Sequence, residues 1–274
     1  MPPSFIEIAN ADDPRVADFR RLNDASFRRG LEGATTFGHG FFVIEGWLAT
    51  ERAIDTRQSL RSVLVASTRR QRAAELLAPT DVVVFVAAPE VVERIVGFDL
   101  HRGIVAAADR RLALDPATVA ARATRLVVLE GVNDAENLGV VFRNAAGLGA
   151  DGVLLDPTCC DPLARRTVRV SLGHVLSVPW ARLAWPDGLD AVVRAHGHRL
   201  VALTPHSDAV DLREVGRAEF SALLLGAEGP GLSSVALGAA DVCARIPMTP
   251  GVDSLNLGSA AAIAMWQLFE EKHG

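Results

Sequence analysis

IPMTPGVDSLNLGSAAAIAMW, residues 246–266, is the stretch whose reading decides how this chain is built. It opens as a strand end at Arg245 and Ile246, turns through Pro247, Pro250 and Gly251, and then runs into small and apolar residues with the spacing of a helix. The pattern is that of a binding loop followed by an anchor. Gly258, Ser259, Ala260, Ala261 and Ala262 are small enough to let other backbone pack closely. Ser254 and Asn256 bring a hydroxyl and an amide to the helix entrance, and Ser254 is the expected N-cap. Alone, a capped alanine-rich helix after a Pro/Gly loop is ordinary structure, so its meaning depends on two stretches upstream.

The nearer one is LLLGAEGPGL, residues 223–232. Three leucines read as a buried strand, after which Gly226, Gly229 and Gly231 let backbone amides approach a ligand without a Cβ in the way. The spacing is neither G-x-G-x-x-G nor a P-loop, and Glu228 in its centre would repel a phosphate. The expected ligand is cationic, neutral, or held mainly by backbone. The other stretch is LVVLEGVNDAENLGVVFRNAAGLG, residues 126–149: a strand, a polar loop, then a helix carrying Asn137 and Arg143. In open parallel sheets ligands collect at the carboxyl ends of strands, and all three stretches are such ends. On its own, Asn137 reads equally as a helix cap and Arg143 as a surface charge.

EGVNDAENLGVVFRNA, LLLGAEGPGL and IPMTPGVDSLNLGSAAAI, in that order, resemble the three motifs of the SpoU (TrmH-like) family, S-adenosylmethionine-dependent RNA 2'-O-ribose methyltransferases of the SPOUT superfamily. DPLARRTVRVSLGHVLSVPW between them is similar to the family's intervening stretch, so the resemblance covers residues 126–274. It implies a parallel-sheet SPOUT domain with a trefoil knot, which a first-principles reading would not propose because threaded chains are rare. It implies S-adenosylmethionine as cofactor, bound through backbone at Gly226, Ile246 and Leu255. It carries catalytic roles over to Asn137, Arg143, Glu228, Ser254 and Asn256. It also implies a homodimer through the C-terminal domain. The expected dimer stripe is Leu257, Ala261, Met265, Leu268 and Phe269, on a helix running to about residue 272. In one departure, Gly258 stands where members commonly carry a second serine, which is expected to alter packing more than activity. That glycine is the sole sequence support for the alternative, a catalytically impaired RNA-binding protein on the same scaffold.

Upstream, FFVIEGWLATERAI, VVVFVA, PEVVERIVG and HRGIVAAA alternate strands and helices. They are similar to the smaller, ribosomal-protein-like α/β domain that binds substrate in many members. The resulting division is an RNA substrate-binding domain at 1–108, a charged, alanine-rich linker at 109–125, and the methyltransferase domain at 126–274. Residues 1–35 are polar and read as one or two short helices, followed by a glycine loop at 33–42.

Composition sets the remaining bounds. With 274 residues and 49% hydrophobic content there is enough chain and apolar surface for a core in each of two domains. No apolar run reaches the length of a membrane span and no leader is visible, so a cytoplasmic protein without membrane contact is expected. Cys159, Cys160 and Cys243 make neither a disulfide framework nor a C-x-x-C spacing, and no metal is implied. The net charge of −5 confines any nucleic-acid contact to local patches. RRQR at 69–72 and RRTVR at 165–169 are the candidates. His196 and His198 are read as solvent-exposed loop residues. The RNA expected as partner is rRNA or tRNA, and the sequence does not choose between them.

Overall fold

The computed structural model describes residues 2–24, 28, 40–101 and 103–269. Most of the expected glycine loop at 33–42 and the end of the C-terminal helix beyond 269 lie outside the described residues. The contacts divide the chain into two compact units, Met1–Leu112 with Leu163–Leu176, and Ala113–Pro162 with Ser177–Gly274.

The first unit is the expected small α/β module. Its strands are β1 (Ser4–Ile8), β2 (Phe41–Glu45), β3 (Leu60–Ala66), β4 (Val83–Ala87) and β5 (Ile104–Asp109), in the order β1-β4-β3-β5-β2. The helices are α1 (Trp47–Asp55), α2 (Arg70–Leu77) and α3 (Pro89–Val96). β1, β4 and β3 run parallel, and β5 pairs antiparallel with both β3 and β2. The strand at 4–8 was not expected in a segment read as helical. SFIEI is a five-residue edge strand with only Ile8 buried, so its apolar pattern is too short to stand out.

The segment Leu163–Leu176 also packs into this unit. Its short helix Arg165–Val170 sends Arg165 to the Glu45 carboxylate and to Asn23 Oδ1 (2.8 Å), with Arg169 at 3.4 Å from Glu45. Arg52 donates to the Leu172 carbonyl. Glu45 is only 4% exposed, and a buried carboxylate requires such partners. Two arginines of the RRTVR candidate patch are therefore engaged inside the unit.

The second unit holds β6 (Arg125–Glu130), β7 (Gly152–Leu155), β8 (Trp180–Arg182), β9 (Arg199–Leu203), β10 (Val210–Asp211), β11 (Ser221–Gly226) and β12 (Val242–Arg245). They form one sheet in the order β10-β12-β9-β11-β6-β7-β8, parallel throughout. Its helices are α4 (Pro116–Arg122), α5 (Ala135–Gly147), α6 (Ser234–Ala239) and α7 (Leu257–Phe269). Leu126, Val128, Leu200, Ala202, Ala222 and Leu224 pack with α4 on one face. The alternate residues Val127, Leu129, Val201, Leu223 and Leu225 are buried as well, and α7 packs on β11 and α5. Burial on both faces explains why these strands read as continuous apolar runs.

Two expectations change here. The segment expected as a linker contains α4, capped by Asp115, whose Oδ2 accepts from Thr118 N at 2.9 Å. Val119, Ala120 and Ala123 of that segment belong to the sheet core, which its charged, alanine-rich composition concealed. The stripe Leu257, Ala261, Met265, Leu268 and Phe269 is buried in the chain's own core. The apolar residues that α7 leaves exposed are Ile263 (43%) and Trp266 (57%). Among the described residues no helix is long and apolar enough to cross a membrane.

Candidate active site

Because β6, β9, β11 and β12 are parallel, their carboxyl ends share one edge of the sheet, and the motif loops leave from it. After β11 the chain doubles back, with Gly231 N donating to Ala227 O at 3.0 Å. The crossing is tight. A Cβ on Gly226 would lie 2.5 Å from Leu232 N and closer still to the Gly231 carbonyl, so only glycine fits. Beside this turn is a cleft walled by Leu203, Leu225, Gly226, Ile246, Met248 and Leu255. All three residues expected to hold a cofactor, Gly226, Ile246 and Leu255, line it, and so do Glu228 and Ser254.

A second, polar cleft is lined by Asn133, Asp134, Glu136, Asn137, Glu228 and Asn256. Glu228 and Leu257 line both clefts, so the two adjoin. Here the three motifs are tied together by side chains. Asn137 Nδ2 donates to Glu228 Oε2 at 2.6 Å, and Asn256 Nδ2 donates to Asn137 Oδ1 at 3.0 Å. Asn256 Oδ1 accepts from Gly258 N at 2.9 Å and Ser259 N at 3.4 Å. The amide orientations are determined chemically: a carboxylate only accepts, a backbone N–H only donates, and both ends of the chain are of that kind.

Two helix caps differ in their roles from the sequence reading. Asp134 caps α5, accepting from Glu136 N and Asn137 N at 2.8 Å each, which leaves the Asn137 side chain to bridge the motifs. Asn256, and not Ser254, caps α7; the helix starts at Leu257, too far along the chain for Ser254 to reach its first amides.

Arg143 stands apart from the other candidates. It lies six residues beyond Asn137, about 240° further round α5, is exposed, and lines neither cleft. Among the described residues it makes no hydrogen bond or ion pair. Gly258 is accommodated rather than missing a hydroxyl: a Cβ there would overlap Val140 Cγ1 and lie 3.1 Å from Val140 Cβ. Asn144, to which the sequence assigned no role, donates to the Gly258 carbonyl at 2.7 Å. Its signal was its spacing, since Asn137, Val140 and Asn144 fall on one face of α5.

Cys159, Cys160 and His198 lie outside both clefts. Burial pushes the Cys159 thiol up to about 12 and Cys160 up to about 11, so both are protonated at neutral pH. Cys159 Sγ accepts from Val132 N at 3.3 Å, steadying the loop that enters α5. His198 is buried, contrary to the exposed position expected. Its ring nitrogens lie 3.3 Å from Val193 O and 3.1 Å from Ala123 O, edge-on to Phe220.

Burial lowers the His198 pKa below its usual 6.5, outweighing the two carbonyls. Well above 6.5 both folded and unfolded forms are neutral and this contribution to stability is complete. Below it the unfolded chain takes up the proton first, so stability falls as pH drops through that range. Thermal unfolding between about pH 7.5 and about pH 5.5 should show a shallower slope for His198→Gln than for wild type. Parallel slopes would remove His198 as the source.

The fold and the paired clefts define an α/β domain with a largely apolar cleft at the strand ends, beside a polar junction. Residues 124–266 match the SpoU rRNA methylase family, and the chain belongs to that family. It is 43% identical over 271 residues to an uncharacterized tRNA/rRNA methyltransferase of Mycobacterium tuberculosis, covering 97% of this chain and 92% of that relative. Its fold is similar to the crystal structure of an AdoMet-bound rRNA methyltransferase from Sinorhizobium meliloti, with TM-score 0.79, 26% identity, and 96% and 97% of the two chains covered. It is similar also to that of an RNA 2'-O ribose methyltransferase, with TM-score 0.74, 25% identity and the same coverage.

Proposed function

We propose that this protein transfers a methyl group from S-adenosylmethionine to a ribose 2'-OH of tRNA or rRNA. The observation that carries the reading is the hydrogen-bonded junction of Asn137, Glu228 and Asn256 beside the Gly226 cleft, because it joins all three motifs at one place. The cleft suits this donor: apolar walls fit an adenine, backbone edges at Gly226, Ile246 and Leu255 offer hydrogen bonds, and Glu228 faces a cation favourably. When bound, the donor supplies a methyl group on a cationic sulfur. Asn137 orients the Glu228 carboxylate, and Asn256 fixes the start of α7 behind Leu255. Arg143 holds a substrate phosphate or the developing alkoxide, a task suited to a guanidinium that stays charged.

Arg143 lies outside both clefts, which favours a site completed by a second copy of the chain. We propose a homodimer through the second unit, and the exposed Ile263 and Trp266 of α7 support it. Trp266→Glu should convert a dimer to a monomer in light scattering at micromolar concentration; a wild type that is itself monomeric would end the dimer proposal. A trefoil knot also belongs to this reading. What supports it is that the chain leaving β12 passes β9 to seat α7 on β11 and α5.

The division of labour proposed is that the first unit recruits RNA while the second holds donor and catalytic groups. Arg72 stacks 4.3 Å from the Trp47 ring, an arginine and aromatic pairing suited to nucleic acid. Arg72→Ala should weaken RNA binding in filter assays and reduce the salt slope by about 1, with donor affinity unchanged. An unaltered salt slope would remove Arg72 from the RNA interface. The whole function is tested by methyl transfer to RNA from a strain lacking the gene, followed by mapping of the modified nucleotide. Base methylation, or no transfer despite donor binding, would overturn the ribose assignment. The intact junction and the fit of Gly258 against Val140 favour an enzyme over the catalytically impaired alternative.

A further inference from the structure

We infer that Asn144 is a positioning residue for the donor cleft, acting through Gly258 and Asn256; the inference rests on the donor reading proposed for that cleft. One face of α5 presents Asn137, Val140 and Asn144 to the start of α7. Asn144 Nδ2 donates to Gly258 O at 2.7 Å, and Gly258 N donates to Asn256 Oδ1 at 2.9 Å. Asn256 Nδ2 donates to Asn137 Oδ1, and Asn137 Nδ2 to Glu228 Oε2. The four bonds all point the same way and connect Asn144 to the carboxylate shared by the two clefts.

Gly258 is thus gripped at both of its flanking peptides, while Val140 closes the side where a Cβ would project. The position it holds matters to the ligand. Leu255, Leu257 and Ala260, all within three residues of it, line the donor cleft. A carbonyl in the first turn of α7 that loses its side-chain donor lets that turn rotate, and the cleft wall and Asn256 move with it. Asn144 touches neither cleft, so its effect passes entirely through Gly258. Bonds linked in series are strengthened or weakened together, which makes the coupling measurable.

The test is a double-mutant cycle on the full chain, titrating S-adenosylmethionine calorimetrically into wild type, Asn144→Ala, Asn256→Ala and the double variant. Loss of one part-buried hydrogen bond predicts affinity about fivefold weaker for Asn144→Ala, a larger loss for Asn256→Ala, and a double variant no weaker than Asn256→Ala alone. Wild-type affinity in Asn144→Ala, or losses that multiply in the double variant, would overturn the inference. Asn144→Ser serves the same purpose if the alanine variant does not fold.

Hydrogen exchange provides the readout that does not depend on donor. The amides of residues 257–260 should exchange faster in Asn144→Ala, and unchanged exchange there counts against Asn144 whatever the titrations show. A wild type that binds no S-adenosylmethionine overturns the donor reading, leaving exchange to decide whether Asn144 holds the start of α7.

Discussion

Gly226→Ala should reduce S-adenosylmethionine affinity by at least about a hundredfold, roughly 2.7 kcal/mol. The atoms that a Cβ would meet, the Gly231 carbonyl and Leu232 N, are all backbone, so no side chain can rotate away to relieve the overlap. Overpacking of this kind typically costs about 1–3 kcal/mol. Here relief requires displacing the 227–232 loop, which carries Glu228 and closes the cleft. The same displacement pulls Glu228 from Asn137 and breaks the junction between motifs. Gly238→Ala is the control, since a Cβ there meets nothing within 4 Å and the residue sits in α6. Calorimetric titration of both variants checks the expectation. Affinity for Gly226→Ala within tenfold of wild type would show that the loop has slack the structure does not display.

Arg143→Ala should have its large effect on turnover and almost none on donor affinity. The residue lines neither cleft, so removing its side chain leaves the donor walls intact. A preorganised cation at a developing negative charge is worth about a hundredfold to a thousandfold in rate, and single-turnover methyl transfer should fall by that order. Arg143→Lys should recover only part of the loss, because an ammonium lacks the planar fork that grips two phosphate oxygens. Turnover within twofold of wild type would remove Arg143 from the chemistry. A matching fall in donor affinity would place it in the binding cleft instead.

How much of this was legible in the residues follows from how far apart the deciding atoms are along the chain. The central strands β6, β9 and β11 could be read directly, because strands buried on both faces are apolar without interruption. The glycine turn after β11 could be read as well, and parallel strands deliver their loops to one edge; the grouping of Gly226, Ile246 and Leu255 came only with the family resemblance, and the structure brings the three to one cleft. Edge strands were harder. β8 and β10 have three and two residues, too few for a pattern, and β1 shows one buried side chain. The helix α4 was hidden in a charged segment whose few apolar residues find their partners across the sheet.

Within the candidate site, the family resemblance pointed to Asn137, Glu228 and Asn256, but not to their touching, because their separations of 91 and 119 residues close only when the sheet forms. It misplaced the cap of α7, since Ser254 and Asn256 are both good caps and the loop's path decides which one meets the free amides. It turned the stripe of α7 outward when the chain's own core covers it, because amphipathicity shows which face is buried and not what buries it. The burial of His198 is not visible in its neighbours along the chain, because one of its two carbonyl partners, Ala123 O, lies 75 positions away. Chemistry and local pattern were written along the chain. The close approach of Val140 to Gly258, the grip of Asn144 and the isolation of Arg143 arise from long-range packing, which no stretch of residues carries by itself.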